Sequence, residues 1–508
     1  MSTAALIPSE LRETYVAAGQ EHVFKYCDEG KLSTEQAESL VAQLQGLDLD
    51  RIAKLHKGAM EFDAHGQDGQ GSLDPLDSYD SLVDAPAADK SAWESAGMKA
   101  IAAGEVAACV LSGGAGTRLG FPFPKGMFDV GLPSGKPLFQ LYCERLQKLA
   151  HLAGGSKPIP FYIMTSEGDN DTFTRQFFEE NDYFGYSKSD VMFFPQGTLP
   201  CMTLEGKVML ENGYSVGKAA DGNGGIYGAM RSSGALKQMG ERGVKYVHVF
   251  SVDNAIGKVA DPSFMGYCIS RGSDVGNKVV WKAAPGEKVG VLGKRGGKCS
   301  VIEYSEMTEE DCAKTDADGK LMYGAGNICN HFYTTEFLEK VTDDALIFHV
   351  ARKKIKSPSE DGQSAVTPTE NTGIKLECFI FDCFGMAVNM AVLEGPRDEE
   401  FTPVKNPAGN PTDSPDSARA MLTAQNKKWL KAAGVSITEG AGQLELGPFV
   451  TYRGEGLESL KEQLGDTPID CRRDVYIDVV APGSLEPRAA VLSSQSHFLR
   501  PSRWRAGF

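Results

Sequence analysis

The densest chemistry in the chain sits in one short stretch. Leu111-Ser-Gly-Gly-Ala-Gly-Thr-Arg-Leu-Gly120 continues an apolar run, and it carries Arg118 with Lys125 following closely. Glycines let the main chain approach a ligand and turn its amides inward, which makes a nest for anionic oxygens. Arg118 offers a planar fork for two phosphate oxygens, and Lys125 a point charge that can follow a moving phosphoryl group. Two common nucleotide loops do not fit. A P-loop needs Gly-Lys-Ser/Thr at its end, but Lys125 stands beyond Gly120 and is followed by Gly126. A dinucleotide fingerprint needs a third glycine at 119, where the chain has Leu119. On the loop alone, a glycine-rich turn with two solvated cations remains open.

Two further positions share this chemistry. Gln196 carries both a donor and an acceptor, the pairing that reads an imide edge, although an ordinary loop amide fits as well. Asp253 ends the apolar run Tyr246–Val252, where a carboxylate can hold a hard cation or cap a turn. His248, inside the same run, reads as a satisfied core histidine, and the eight histidines show no metal-ligand spacing. Arg352-Lys-Lys354 reads as a solvated face.

These residues need a scaffold. From about Glu105 short apolar runs alternate with amphipathic windows, the pattern of βαβ units around a buried, mostly parallel sheet. The spacing predicts strands at Val106–Leu111, Phe161–Thr165, Val191–Phe194, Tyr246–Val252 and Lys278–Trp281, with helices at Pro137–Ala150, Thr172–Glu180 and Ile226–Met239. Sites in such sheets form beyond the carboxyl ends of the strands, where Gly113, Thr165, Gln196 and Asp253 fall. Residues 1–104 read as a helical region, with a capping box at Ser33–Gln36, followed by an acidic extended connector over Glu61–Lys90. A catalytic domain is expected over 105–404 and a C-terminal domain over 405–508. The turn-rich Lys405–Asp416 opens the latter, and a helix over Ser417–Ala433 and short strands near Leu444–Tyr452 and Val475–Val480 follow.

Composition narrows the classes. The 508 residues hold 68 acidic and 52 basic side chains, a net charge of −16, so the surface as a whole repels polyanions and nucleic-acid binding is not expected. No window approaches the ~18 apolar residues of a membrane span, and no secretory leader is recognisable. Eleven scattered cysteines without a C-x-x-C pair fit reduced, mostly buried thiols. The expected location is the cytoplasm.

The loop through Phe-Pro-Phe-Pro-Lys-Gly-Met-Phe-Asp-Val-Gly-Leu-Pro-Ser134 resembles the signature of the eukaryotic UDP-N-acetylhexosamine pyrophosphorylases, UTP:N-acetylglucosamine-1-phosphate uridylyltransferases. The resemblance continues at Phe194–Gly197, Asp221–Gly225, Val252–Asn254, Val301–Glu306, Gly326–His331, Gly373–Lys375, Thr402–Asn406 and the early Ala17–Phe24. It implies an α/β fold with a Rossmann-like nucleotidyltransferase domain on a mixed, mostly parallel sheet, flanked by the helical N-terminal region and a small C-terminal α+β domain. The implied reaction is attack of N-acetylglucosamine 1-phosphate on the α-phosphorus of UTP, giving UDP-N-acetylglucosamine and pyrophosphate. N-acetylgalactosamine 1-phosphate is a possible second substrate, and the implied state is a monomer or homodimer.

By the same resemblance Arg118, Lys125 and Lys405 serve catalysis. Leu111, Gly113, Gly114, Gln196, Gly222 and Asp253 bind the nucleotide, with Asp253 holding Mg²⁺ and Gly222 in a run where a side chain would block the base. Asn223, Gly290, Glu303, Asn327 and Lys375 meet the sugar and its phosphate. Gly135, Pro137 and Ser251 depart from the animal pattern. A UDP-glucose or broad UDP-sugar pyrophosphorylase is the rival enzyme, although the Thr-Arg-Leu-Gly wording favours the acetamido sugar. A non-catalytic nucleotide-sugar sensor is the alternative from another class.

Overall fold

The computed structural model describes residues 3–65, 71–342, 345–479 and 487–490. Its centre is an eleven-stranded sheet. In chain order the strands are β1 (Leu73–Asp74), β2 (Asp80–Ser81), β3 (Val106–Leu111), β4 (Phe161–Ser166), β5 (Val191–Gln196), β6 (Tyr246–Ser251), β7 (Val275–Trp281), β8 (Val291–Arg295), β9 (Lys298–Ile302), β10 (Ala325–Thr334) and β11 (Met390–Glu394). They lie side by side as β2-β11-β7-β10-β6-β3-β4-β5, and β8 branches off with β1, β9 and β10.

Pairing is parallel from β6 through β3 and β4 to β5, and again from β7 through β11 to β2; β10 alone runs against both its path neighbours. β3 is buried at all six positions, which is why it reads as an unbroken apolar run rather than an alternating one. All five expected strands form, with β4, β5 and β7 longer than the sequence indicated. The expected helix over Ile226–Met239 is instead two, Ile226–Ser232 and Ala235–Arg242, because Gly234 turns left-handed between them.

The acidic connector is more than a tether. Within Glu61–Lys90 it supplies β1 and β2, which pair with β8 and β11 at the sheet margins, and then enters the helix Ala87–Ala102. Residues 66–70 of that stretch lie outside the described residues. The predicted capping box forms: Ser33 N–H donates to Gln36 Oε1 at 2.8 Å, and Gln36 N–H to Ser33 Oγ at 3.2 Å.

Two satellite structures frame the site. Phe348–Lys353 and Gly373–Cys378 make an antiparallel ribbon whose Phe348, Ile374, Leu376 and Cys378 pack with Ile52 and Ala59 of the helix Leu49–His65. Side chains alternate along a strand, so His349, Lys375 and Glu377 share the other face of the ribbon. Towards the C-terminus the helix Pro415–Ala432 packs with Leu444–Leu446 and Val475–Val479, which pair in parallel. Ala418, Leu422 and Tyr452 join the main core beside Val252 and Ile256. The expected strand end at Val480 lies outside the described residues.

Candidate active site

Beyond the carboxyl ends of β3–β6 the loop after Leu111 doubles back on itself. Gly116 N–H donates to Phe123 O at 3.0 Å, and Lys125 N–H to Gly114 O at 3.2 Å, so Lys125 returns to the start of the loop. The Ser166 hydroxyl at the end of β4 donates to Gly113 O at 2.7 Å. A Cβ on Gly113 would stand 2.6 Å from that Ser166 oxygen and 2.9 Å from Gln196 Oε1, so a larger residue here would have to displace both side chains. Gly114 has no atom within 4 Å of a Cβ position and faces the open side. Leu111 is buried under the loop, Gln196 is 7% exposed, and Arg118 projects into solvent from a short 3-10 turn.

A charged pair lies on the next strand end. Lys125 Nζ is 3.7 Å from Asp253 Oδ2, and Ser251 Oγ donates to Asp253 Oδ1 at 2.7 Å. Val404 N–H donates to Asp253 O at 2.9 Å, which brings Lys405 to the same corner, its ammonium 5.7 Å from the Phe401 ring centre. Cys329 feels both charges: burial pushes its thiol up to about 12, with the Asp253 charge adding to the rise and Lys405 opposing it. Among the described residues no group of three or more His, Cys, Asp and Glu could hold a metal by itself.

Three of the expected sugar residues, Gly290, Glu303 and Asn327, lie on or beside β8–β10. A Cβ on Gly290 would meet Glu303 Oε1 and Val301 Cγ1, each at 2.9 Å. Asn327 N–H donates to Gly290 O at 2.8 Å, and its side-chain oxygen accepts from Cys329 N–H at 3.0 Å. Cys329 takes a left-handed φ of 51° within the β7–β10 register shift, a bulge of the kind that re-aims side chains beside sites. Burial raises the Glu303 carboxyl and Glu306 adds to the rise, whereas His349 and Lys405 pull the other way.

Two expectations acquire different physical reasons. Gly222 has φ 91°, and a Cβ there would lie 2.2 Å from the Cys378 carbonyl oxygen. Its glycine is thus demanded by the ribbon, whatever else binds nearby. Asn223 accepts from Ile380 N–H at 3.0 Å, so it also ties the loop to the segment after the ribbon. Lys375 makes its ion pair with Glu377 and none with Asp253.

Sequence reasoning passed over Ser166 and His349, and it marked Ser251 only as a departure from the animal pattern. Ser166 ends a strand one residue past Thr165, so only the register Ser166↔Gln196 reveals it. His349 faces Asp382, with Nε2 3.1 Å from Oδ1, and its influence on Glu303 depends on ribbon folding that no local spacing announces. His248 is a core residue as expected: it accepts Ala260 N–H on Nδ1 and donates from Nε2 to Asn330 Oδ1 at 2.6 Å. Arg352 is half-exposed and pairs with Asp63 at 2.7 Å. All eleven cysteines are free thiols, eight of them buried.

A mixed, mostly parallel sheet with an amide-lined loop, facing cations and a strand-end carboxylate defines a nucleotidyltransferase. Residues 75–450 match the family described as UTP--glucose-1-phosphate uridylyltransferase, and the chain belongs to it. Its relatives carry a narrower name. The mouse UDP-N-acetylhexosamine pyrophosphorylase-like protein 1 is 40% identical over 479 residues, covering 88% of this chain and 94% of its own. The UDP-N-acetylglucosamine diphosphorylase 2 of Arabidopsis thaliana is 40% identical over 464 residues, 87% of this chain and 89% of its own. The Trypanosoma brucei uridine diphosphate N-acetylglucosamine pyrophosphorylase, solved with an inhibitor, superposes with a TM-score of 0.77 at 30% identity, covering 93% of this chain and 99% of its own. Leishmania major UDP-glucose pyrophosphorylase shares the fold at 18% identity, with a TM-score of 0.57.

Proposed function

We propose that this protein is a UDP-N-acetylglucosamine pyrophosphorylase. A non-bridging oxygen of N-acetylglucosamine 1-phosphate attacks the α-phosphorus of UTP and forms the new P–O bond. The bond from the α-phosphorus to the β-phosphate bridging oxygen breaks, and its electron pair leaves with pyrophosphate. Such a displacement needs the two anions aligned and their charge offset more than it needs covalent help. The observation that carries the reading is the meeting of Lys125 with Asp253 at 3.7 Å, at the mouth of the amide loop.

The loop amides of Gly113 and Gly114, with Arg118, hold the triphosphate, and Lys125 offsets charge developing on the α-phosphate and the leaving pyrophosphate. Gln196, nearly buried beside Gly113, reads the uracil edge. Glu303, Asn327 and Asn223 suit the hydroxyls and acetamide of the sugar, and Lys375 and Lys405 approach its phosphate. Asp253 suits Mg²⁺: it presents hard oxygens, and this ion completes its shell with waters and substrate phosphates rather than a protein cage. When bound, the ion supplies charge neutralisation between the phosphates. Free, mostly buried thiols support a cytoplasmic location, and no helix among the described residues is long and apolar enough to cross a membrane.

The test is pyrophosphate release from UTP with N-acetylglucosamine, N-acetylgalactosamine and glucose 1-phosphates side by side, with and without Mg²⁺. Fastest turnover is expected with N-acetylglucosamine 1-phosphate. Faster turnover of glucose 1-phosphate selects the rival enzyme, and no turnover of any selects a sensor.

A further inference from the structure

Asp253 and Lys405 are distant in sequence, and one short strap brings them together. The segment Glu400–Lys405 lies antiparallel to Asp253–Ala255. Val404 N–H donates to Asp253 O at 2.9 Å, Ala255 N–H donates to Thr402 O at 3.3 Å, and Asn254 stands opposite Pro403. Proline has no amide hydrogen, so this ladder loses a rung at its middle. The Asn254 side chain bonds the strap just before that gap. Its Nδ2 donates to Glu400 O at 2.7 Å, and its Oδ1 accepts from Thr402 N–H at 2.9 Å. Asn254 is 5% exposed, and both hydrogen bonds go to main-chain atoms of the strap.

The far end of the strap is anchored separately. The Glu400 carboxylate is fully buried and takes Lys278 Nζ at 2.9 Å and Lys258 Nζ at 3.1 Å, while Lys278 also pairs with Asp261 at 2.5 Å. Among the described residues, beyond Asn254 only the Val404 bond to Asp253 and two bonds to Asp413 O, from Lys405 N–H and Asn406 N–H, hold the main chain. Because strand side chains alternate, a one-residue slip here would send Lys405 to the opposite face. Asn254 therefore sits where register is decided, between a rigid ion cluster and the lysine.

We propose that Asn254 is a positioning residue for Lys405: it sets the register of the Glu400–Lys405 strap, so that the ammonium meets the substrate phosphates opposite Lys125. This rests on the reading of Lys405 as a phosphate contact. A displacement of about 1 Å in such a group is enough to cost about 100-fold in rate.

The experiment is a double-mutant cycle on the full chain with Asn254→Ala, Lys405→Ala and the double variant, read as kcat and KM for both substrates, with thermal melting alongside. Asn254→Ala is expected to lower kcat about 10- to 100-fold, with KM for UTP within about threefold, and to have no further effect on kcat in the Lys405→Ala background. Its effect on melting should persist in both backgrounds, which separates positioning from general stability. Multiplicative losses in the double variant, or wild-type kcat for Asn254→Ala, overturn the proposal. Wild-type kcat for Lys405→Ala instead overturns the role given to Lys405, and the proposal with it. If Asn254→Ala does not fold, Asn254→Ser runs through the same cycle, because it leaves a neutral polar group in the site and is too short to hold both Glu400 O and Thr402 N–H.

Discussion

The Lys125 ammonium and the Asp253 carboxylate stand 3.7 Å apart, with their side chains only 17% and 13% exposed. At that distance each charge offsets the other, and a triphosphate with its metal would give both a new partner. Lys125→Ala is expected to lower kcat about 100- to 1,000-fold with little change in KM for UTP, because the interaction lost is stronger in the transition state than in the ground state. Binding of UDP-N-acetylglucosamine, followed calorimetrically, should survive. A kcat within a factor of a few of wild type would remove Lys125 from the chemistry.

Ser251 holds one Asp253 oxygen by a 2.7 Å hydrogen bond. Partners that orient a metal-binding carboxylate typically matter 10- to 100-fold in metal affinity. Ser251→Ala should therefore raise the Mg²⁺ concentration for half-maximal rate about tenfold and leave the rate at saturating Mg²⁺ nearly intact. An unchanged Mg²⁺ titration would show that Asp253 needs no such support, or holds no metal.

What could be read from the chain follows the range of the forces involved. The strands β3–β6 are short apolar runs that need no partner to be recognised, and their carboxyl ends fix Gly113, Gln196 and Asp253. Roles that depend on pairing across the sheet stay hidden in the sequence. Ser166 matters because of its register with Gln196, and His349 because the folded ribbon brings its charge to bear on Glu303. The acidic connector misleads for a related reason: two-residue strands such as β1 and β2 exist only because the sheet margin offers them partners.

Glu303 is held above its ordinary range chiefly by burial, with Glu306 as a second cause. Its ionised form is the stronger acceptor for a sugar hydroxyl. The acid limb of kcat/KM for the sugar phosphate should thus lie above 4.5, the ordinary glutamate value. Glu303→Gln should lower kcat/KM about 10- to 100-fold at neutral pH and abolish that part of the limb. Titration of the substrate phosphate is common to both proteins, so it cancels in their ratio. A pH-independent ratio would mean that Glu303 does not titrate in the reaction.

Acid stability should be governed in part by the histidines under the site. His248 is pushed down to about 4 and His331 to about 3, both mainly by burial, and His331 also by the nearby His248. His331 donates from Nδ1 to Asn277 Oδ1 at 2.7 Å, and His248 is bonded on both nitrogens as a neutral ring. In the unfolded chain both take up protons near 6.5, whereas the folded protein does not until about 4 and 3. The unfolded state thus binds more protons across this window, so stability present above pH 6.5 is lost as pH falls towards 4, by about 1.4 kcal/mol per pH unit for each ring. Glu445 works against them: burial pushes its carboxyl up to about 7, so in the folded protein it takes up a proton where the unfolded chain does not. The wild-type slope alone is therefore ambiguous, and the variant difference is the measurement. Urea unfolding of His248→Gln between pH 7.5 and 4.5 should show a shallower loss than wild type by about one proton, since glutamine can both accept from Ala260 and donate to Asn330 without charging. Parallel slopes for the two proteins would mean that His248 is already protonated in the fold.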